Sequence, residues 1–485
     1  MKVLLILLSI ICMTILPAVS QDFKVKGTKI IEPQGKEFLP KGINVNGPHW
    51  PWKRNTIDDA HLITDVWKFN SVRVNIFPRL KNIFQTNTDL DGIVEAYTSR
   101  KVVTILEVHD YTGTYPDLKE GNPSLEEFKD WWVDKAQRYK NNPYVWFNLM
   151  NEPGGNEPVP ALWKDHHEYV IKAIRATGAK NIIVLDGHHF GQEGGYKDPA
   201  WSGILTYGEY FRKNYDNIVF SLHIYSLWKD GEERLERYAS ELKKKKLAFF
   251  FGEYGESDRH NENATAAMFR VALRHNLGRM AWQWSSEKNA GNDLTYKTSV
   301  GAGWEIDKKD GSKPSNLTWM GSIIWDDNHG KLTPDKVKLE GPPVKNGNFE
   351  DRLYGWQNYG GARIVTGADS VRSGDYAMLV PPGKKGGGTS QLLYLEPNTT
   401  YVLSAWGKYT GEPAKPAVLS IRYKLSDGKN AEHTIRFDKD EFTHQQTKFT
   451  TPAAFTGAEM FINKPDANKI LIVDDIEIKD KVLHQ

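Results

Sequence analysis

The stretch VWFNLMNEP at 145–153 decides how the rest of the chain is interpreted. It begins as an apolar and aromatic run of buried-strand length and ends in Asn151, Glu152 and Pro153. A strand from a dry core would therefore carry a carboxyl group to its own C-terminal end. An ordinary strand exit accounts for the same residues, because Asn and Pro are common in turns and a neighbouring Glu usually faces water. The stretch alone leaves both interpretations open.

Strand-like and helix-like segments alternate on both sides of this stretch, which is typical of a parallel sheet with crossover helices. Eight is the number of strands that closes a TIM barrel. Eight candidate strands lie at 38–46, 72–77, 102–109, 145–152, 181–186, 218–225, 247–253 and 280–284. We therefore predict an α/β fold, a (β/α)8 TIM barrel over residues 21–330.

Capping residues mark helix starts between these strands. Thr56, which is followed by acidic residues, predicts an N-cap before a helix at 61–69. Ser124 predicts the start of a helix that runs to about residue 141.

The pattern changes after the predicted barrel. Residues 331–345, KLTPDKVKLEGPPVK, are charged, contain proline and lack a period, which predicts a linker. From 346 to 485, short alternating segments are separated by Gly, Pro, Asn and Asp. This pattern predicts a smaller all-β domain, a jelly-roll or sandwich.

Composition limits the class of ligand. The 485 residues include 63 basic and 61 acidic side chains, for a net charge of +2. This balance gives no electrostatic reason to expect nucleic acid or a membrane surface as partner. Aromatic residues make up 12% of the chain, with 16 Trp and 21 Tyr. Their flat faces and polar edges suit stacking on sugar rings.

The N-terminal segment 1–20 combines an early Lys, an apolar run, Pro17 and small residues before Ser20. This order predicts a signal peptide cleaved near Ser20. The single cysteine, Cys12, lies within the leader. We therefore expect an exported monomer without disulfides, in the extracellular space or the periplasm.

Polar and aromatic residues collect at the C-terminal ends of the predicted strands, which meet on one face of a TIM barrel. Each has an ordinary structural explanation when it is taken alone, but together they suit one pocket. They are Arg73, His109, Asn151, Glu152, His223, Tyr225, Glu253 and Trp284.

Two carboxyls that share a pocket are the equipment of glycosidic bond cleavage, in which one donates a proton and the other attacks the anomeric carbon. The remaining residues suit supporting roles. Arg73 would keep the nucleophile ionised, and Asn151 would bind a sugar hydroxyl. His223 and Tyr225 would orient the carboxyls, and Trp284 would form a stacking floor.

Residues 22–335 resemble glycoside hydrolase family 5, a (β/α)8 family of retaining enzymes. The matching motifs are SVRVN at 71–75, EVHD at 107–110, NEP at 151–153, SLHIYS at 221–226, FFGEYG at 250–255 and AWQW at 281–284. The resemblance implies that Glu152 is the acid/base and Glu253 the nucleophile. It also implies carboxyls about 5 Å apart and no catalytic cofactor.

The segments ILEVHDYTG at 105–113 and AIRATGAKNIIVLDG at 173–187 are similar to those of bacterial β-mannanases in this family. We therefore expect an endo-acting enzyme on plant cell-wall β-mannan or glucomannan. An endo-β-1,4-glucanase (cellulase) and a xyloglucanase are alternatives within the family. Aromatic residues in or near strand exits are candidates for the cleft lining: Trp50, Trp52, Tyr111, Tyr115, Trp201, Trp228 and Trp304.

The tail resembles β-sandwich carbohydrate-binding modules in NGNFED at 346–351 and LIVDDIEI at 471–478. The resemblance implies a structural calcium ion held by Glu350 and Asp475, which offer the oxygen ligands that calcium prefers. Four aromatic residues are candidates for stacking on sugar in this domain: Trp356, Tyr359, Trp406 and Tyr409.

Two other functional classes compete with a glycoside hydrolase. A non-catalytic polysaccharide-binding barrel is possible in principle, but it would not need carboxyls at both strand ends. A metal hydrolase could use the pairs His166 and His167 or His188 and His189. Adjacent residues on a helix do not share a face, and no HExxH motif is present.

Overall fold

A computed structural model of the chain describes residues 22–49, 56–78, 87–118, 121, 123–157, 160–229, 231–256, 258–284, 294–295, 311–315, 317–339, 341–383, 387–411 and 415–480. The predicted signal peptide and cleft candidates Trp50, Trp52 and Trp304 lie outside these residues. Within these ranges, no helix has the length and apolar character needed to cross a membrane.

Eight parallel strands close into a barrel in the order β10-β3-β4-β5-β6-β7-β8-β9. They are β3 (Lys41–Asn46), β4 (Ser71–Ile76), β5 (Val103–Val108), β6 (Val145–Asn148), β7 (Ile183–Asp186), β8 (Ile218–Ile224), β9 (Phe249–Tyr254) and β10 (Gly278–Ala281). Each overlaps one predicted strand, and the TIM barrel prediction is confirmed.

Helices lie between successive strands and continue after the last one. They are α1 (Leu90–Thr98), α2 (Leu125–Tyr139), α3 (Pro160–Ala176), α4 (Gly203–Asn214), α5 (Glu232–Lys244), α6 (Arg259–His275) and α7 (Trp319–Asn328). Short helical turns occupy Leu62–Val66, His109–Tyr111, Glu193–Tyr196, Pro199–Trp201, Ser226–Trp228 and Pro334–Lys336.

The N-cap predicted for α2 is confirmed, but the one predicted between β3 and β4 is wrong. The Ser124 side chain accepts a bond from the Glu127 N–H, and Glu127 accepts one from the Ser124 N–H in return. Thr56 instead donates its hydroxyl to the carbonyl of Asn46, so it ties the strand exit and caps no helix. The helix expected at 61–69 is shortened to the π-helical turn Leu62–Val66.

A small antiparallel hairpin precedes the barrel, formed by β1 (Lys24–Lys26) and β2 (Lys29–Ile31). Phe23 and Ile30 are buried in one apolar cluster with Trp146 and other residues of the barrel strands. The ring of Phe23 lies edge-on to Trp146 at 5.3 Å. The hairpin therefore fills the end of the barrel opposite the strand exits.

The C-terminal domain is a sandwich of two antiparallel sheets, ordered β11-β14-β19-β16-β17 and β12-β13-β20-β15-β18, so the predicted all-β sandwich is confirmed. The strands are β11 (Gln357–Asn358), β12 (Arg363–Val365), β13 (Ala377–Val380), β14 (Thr389–Leu392), β15 (Thr400–Tyr409), β16 (Ala417–Leu425), β17 (Asn430–Phe437), β18 (Thr443–Thr450), β19 (Phe455–Asn463) and β20 (Leu471–Asp480).

The segment predicted as a linker packs against the barrel. Val337 is buried in the barrel core, and its carbonyl accepts a bond of 2.9 Å from Arg270 of α6. The first turn of α6 also contacts the sandwich, where His260 Nε2 lies 3.0 Å from Glu459 Oε1. The two domains are therefore joined by side-chain contacts as well as by the chain.

Candidate active site

The strand exits of the barrel surround a cleft of about 340 Å³. Strand β9 and the loops that follow β5, β6, β7, β8 and β10 contribute its walls, so residues far apart in sequence share one space. The lining residues are His109, Asn151, Glu152, Phe190, Gln192, Tyr225, Glu253 and Trp282.

Two carboxyl groups and one imidazole lie at the centre of this cleft. Single ligand atoms of Glu152, His223 and Glu253 all lie within 4.8 Å of one another. Retaining glycosidases hold their two carboxyl groups about 5–5.5 Å apart, whereas inverting enzymes leave roughly 6.5–9.5 Å for a water molecule. The observed spacing suits a covalent mechanism with retention.

Arg73 is fully buried beneath the carboxyl pair, and its guanidinium donates five hydrogen bonds. Nη1 donates to Glu253 Oε1 at 2.7 Å, and Nη2 donates to Asn151 Oδ1 at 2.7 Å and to Asp186 Oδ2 at 3.0 Å. Nε donates to Asn148 Oδ1 at 2.7 Å and Nη1 to Asn44 Oδ1 at 2.9 Å. The planar guanidinium thereby fixes the positions of five residues from four strands and their exits.

Glu253 has a donor on each carboxyl oxygen. Besides the bond from Arg73, it accepts a bond of 2.9 Å from the Tyr225 hydroxyl to Oε2. Burial raises the pKa of Glu253, and the charges of His223 and Arg73 oppose that rise. Burial also raises the pKa of Tyr225 well above its ordinary value, which keeps the phenol a donor.

His223 lies between the two carboxyls. Its Nδ1 is 2.9 Å from Glu152 Oε1 and 3.6 Å from Glu253 Oε2. Burial alone would lower the pKa of His223, but the charges of Glu253 and Asp186 raise it to about 10. His223 is therefore an imidazolium at neutral pH. Gly191 permits this packing, because a Cβ at that position would lie 2.7 Å from the imidazole.

Asn151 and His109 form the wall beside the carboxyls. Asn151 Nδ2 lies 3.3 Å from His109 Nε2 and donates to the Thr112 hydroxyl at 2.7 Å. His109 Nδ1 lies 3.2 Å from Glu107 Oε2. Burial lowers the pKa of His109, but the charge and hydrogen bond of Glu107 together with the charge of Glu253 raise the pKa overall. Glu107 therefore has a local hydrogen-bonding role, with contacts to Asn75 and His109.

The predicted stacking floor requires a correction. Trp284 is buried in the core, edge-on to Trp67 at 6.0 Å, and its indole N–H donates to Asp59 at 2.9 Å. Trp282 lines the cleft instead and stacks on His109 with a centroid separation of 5.5 Å. The aromatic face available to a sugar therefore belongs to Trp282, because β10 ends at Ala281 and the chain turns before Trp284.

A family model described as "Cellulase (glycosyl hydrolase family 5)" matches residues 31–288, more than half of the chain. The chain belongs to glycosyl hydrolase family 5. A second model, described as a carbohydrate binding domain, matches residues 342–469. This glycoside hydrolase therefore consists of a family 5 barrel followed by a carbohydrate-binding module.

Three similar proteins extend this finding. A mannan endo-1,4-beta-mannosidase from Cellvibrio japonicus (strain Ueda107) is 24% identical over 326 residues, which are 66% of this chain and 70% of the relative. Another mannan endo-1,4-beta-mannosidase, from Streptomyces lividans, is 26% identical over 317 residues, which are 64% and 76%. The structure of a β-mannanase from Thermomonospora fusca has a TM-score of 0.52 at 23% identity and matches 63% of this chain and 95% of its own. It supports the barrel fold.

Other aromatic residues proposed for the cleft of this family 5 enzyme are buried. Tyr111, Tyr115 and Trp228 are at most 1% exposed. Tyr111 packs on Phe128 of α2 at 4.8 Å, since the turn after β5 directs it away from the cleft. Trp201 is half-buried and packs on His189 at 4.4 Å.

The aromatic candidates of the sugar-binding module divide in the same way. Trp356 and Tyr409 are buried in the core of the sandwich. Tyr359 is 41% exposed, and the half-buried ring of Trp406 lies 4.2 Å below the Arg372 guanidinium. The latter two remain candidates for contact with sugar.

The paired histidines serve local structure. His167 Nδ1 lies 2.7 Å from the Trp163 carbonyl, and burial lowers its pKa to about 3. His188 lies 2.8 Å from the Tyr115 hydroxyl. Among the described residues, the group with metal-ligand spacing is Glu152, His223 and Glu253. The guanidinium bonded to Glu253 and the protonated His223 make that position electrostatically unfavourable for a cation.

The predicted calcium ligands lie at the two ends of one loop in the module. Glu350 Oε1 accepts the N–H groups of Asp375 at 3.0 Å and Tyr376 at 3.2 Å. Asp475 Oδ1 accepts the Ser373 hydroxyl at 2.8 Å. Across the described part of the module, three such ligand atoms do not gather within 4.8 Å. The two carboxylates therefore hold the loop 373–376 by hydrogen bonds, and the calcium ion stays a prediction of the sequence resemblance.

Sequence reasoning missed Asp186 and Asn148, which share the buried polar layer with Arg73. Asp186 is the last residue of β7 and of the corresponding predicted strand. The strand-end rule that selected Glu253 would have selected it too. Phe190 and Gln192 carried no comparable signal, because their position depends on the loop that follows β7.

Proposed function

We propose that this family 5 glycoside hydrolase is a secreted, retaining endo-β-1,4-glycanase that cleaves β-mannan or glucomannan by double displacement. The observation that carries the proposal is the 4.8 Å limit on the distances among ligand atoms of Glu152, His223 and Glu253. At this separation one carboxylate can reach the anomeric carbon while the other reaches the glycosidic oxygen.

In the first step, Glu253 attacks the anomeric carbon and Glu152 gives its proton to the leaving oxygen. Arg73 and Tyr225 each hold one Glu253 oxygen, so the attacking carboxylate is fixed before substrate arrives. The bond from the carbon to the leaving sugar breaks, and a glycosyl ester of Glu253 forms.

In the second step, Glu152 acts as the base. It removes a proton from water, the water oxygen attacks the same carbon, and Glu253 leaves as a carboxylate. The protonated His223 lies 2.9 Å from Glu152 and stabilises the negative charge that Glu152 carries between the two steps.

Two relatives named mannan endo-1,4-beta-mannosidase support a mannan substrate. The family model is described as a cellulase, so β-1,4-glucan is the second candidate. A panel of galactomannan, glucomannan, carboxymethylcellulose, xyloglucan and xylan distinguishes them by release of reducing sugar. Hydrolysis of carboxymethylcellulose alone would refute the mannan assignment.

The mechanism has a separate test. Wild type and Glu253→Gln are compared on the best substrate of the panel, and the anomer formed first is recorded by NMR. The proposal expects the β-anomer from wild type and almost no product from Glu253→Gln. Equal hydrolysis by both proteins would refute the nucleophile, and an α-anomer would refute retention. A protein that binds polysaccharide without cleaving any of the panel would belong to the non-catalytic class.

A further inference from the structure

Asp186, at the end of β7, contacts Arg73 and His223, the residues that hold the two candidate catalytic carboxyls. Its Oδ2 accepts a bond of 3.0 Å from Arg73, which holds Glu253. The same oxygen lies 3.3 Å from Nε2 of His223, whose other nitrogen faces Glu152. Asp186 is completely buried, so its charge acts in a medium with little solvent screening.

Asp186 also holds the backbone of Glu152. Its Oδ2 accepts the Glu152 N–H at 3.2 Å. Glu152 has φ +46°, a left-handed conformation that is unfavourable for a non-glycine residue and persists only where the surroundings enforce it. The carbonyl of Glu152 accepts a bond of 2.9 Å from the Gly113 N–H. The conformation that directs Glu152 into the cleft is thus fixed from both sides of the residue.

Four charged groups face His223. They are Glu152 beyond β6, Asp186 on β7, Glu253 on β9 and, through their shared carboxylates, Arg73 on β4. Glu152 and Glu253 change protonation or become esterified during the proposed reaction. Asp186 does neither, and the charges of His223 and Arg73 hold its pKa well below its usual range despite burial. It is therefore the permanent counter-charge of the imidazolium.

We propose that Asp186 is a positioning residue of the hydrolysis reaction, which keeps His223 protonated and holds Glu152 in its left-handed conformation. This inference rests on the proposed function for its kinetic consequence. Its effect on His223 can be measured without turnover.

Removal of the charge has a defined direction. In Asp186→Asn, His223 loses an opposite charge at 3.3 Å, and its pKa should fall by at least one unit, since such a partner is worth about 1–3 units. His223 would then become neutral at lower pH, and the positive charge beside Glu152 would be lost. The alkaline limb of kcat/KM should move to lower pH, because the lost charge stabilises the Glu152 carboxylate that forms in the first step, with kcat reduced more than KM.

The experiment follows the histidine side-chain signals of the full chain by NMR between pH 5 and 11, with His223→Gln to assign His223. The pH profile of kcat/KM is measured on the best polysaccharide of the panel. Glu107→Gln is the matched control, because it removes an equally buried charge 3.6 Å from Arg73 without facing His223. It should shift the titration of His109 and leave that of His223 unchanged.

Three outcomes decide the proposal. A downward shift of both His223 and the alkaline limb in Asp186→Asn supports it. An unshifted His223, or a lower kcat with an unchanged pH profile, overturns it and leaves Asp186 a purely structural group. If Asp186→Asn does not fold, the wild-type titration decides, because a His223 pKa at or below 6.5 also overturns the proposal. Absence of hydrolysis in wild type would refute the proposed function and leave the NMR test intact.

Discussion

Arg73 offers the sharpest test of the buried polar layer, through Arg73→Lys. The guanidinium has five N–H groups, and the structure provides an acceptor for each within 3.0 Å. Lysine keeps the charge but has three donors that diverge from one atom. At least two buried acceptors therefore lose the hydrogen bond that Arg73 gives them.

A hydrogen bond from a charged donor contributes about 1.5–3 kcal/mol, so the loss of two costs about 4 kcal/mol of folding free energy. For a barrel of this size the loss corresponds to a fall of roughly 10 °C in Tm. A charged hydrogen bond to Glu253 contributes about 1.5–3 kcal/mol. Its loss or misdirection would lower kcat by up to about 100-fold.

Calorimetry and initial-rate kinetics on the same preparations measure both effects. The control is Arg279→Lys, since Arg279 is also buried and pairs with Asp327 through Nε at 2.9 Å, away from the cleft. The control should lose stability and keep kcat. If Arg73→Lys retained Tm within about 2 °C and kcat within about threefold, the five-bond role of the guanidinium would be wrong.

Three further changes test other parts of the enzyme. Burial raises the pKa of Glu193 to about 7, so its stabilising contribution is complete below pH 4.5 and lost as pH rises through 7. Urea unfolding should show wild type losing about 3 kcal/mol relative to Glu193→Gln between pH 4.5 and 8, and parallel pH curves would contradict this. Glu152→Ala should lose about 10³-fold activity on polysaccharide. It should still react with aryl glycosides of acidic phenols, whose leaving groups need no proton, and azide should restore turnover. Equal losses on both substrates would exclude the proton-donor role. Trp282→Ala should raise KM about tenfold without changing Tm. Trp284→Ala should instead lower the free energy of unfolding by about 3–5 kcal/mol and leave KM unchanged. The reverse pattern would show that Trp284 is the residue that stacks on the sugar.

Strand ends could be predicted from sequence because the barrel imposes them. Glu253 lies near the C-terminal end of a short apolar run, and closure of eight parallel strands brings such residues to one face. Arg73 was assigned to a strand end, but it lies in the middle of β4 and reaches Glu253 from there. The positions of strand-end residues can be predicted without knowledge of the loops. The same rule would have identified Asp186 as a residue of the site.

Residues beyond the last ladder bond could not be predicted in this way. Alternation of side chains holds only while the chain stays in the sheet. β10 ends at Ala281, so period two says nothing about which of Trp282 and Trp284 faces the cleft. Tyr111 was misassigned for the same reason, because the turn His109–Tyr111 reverses its direction towards α2. Loop geometry, which depends on long-range packing, decides these positions.

At the start of α6, a charged sequence forms a contact with the second domain that the sequence does not indicate. The run RHNEN at 259–263 has the composition of an exposed helix start, yet Arg259, His260 and Glu262 are at most 3% exposed. Just before it, Glu256 accepts a bond of 3.1 Å from the Tyr354 hydroxyl of the C-terminal domain, and burial raises the pKa of Glu256 to about 7. Glu256 follows Glu253 by three residues, so the module packs on the segment that leaves the proposed nucleophile. Buried charges at a domain boundary lose solvation and need partners with defined geometry. The C-terminal module therefore contacts the segment that follows β9 at a fixed place, three residues from Glu253.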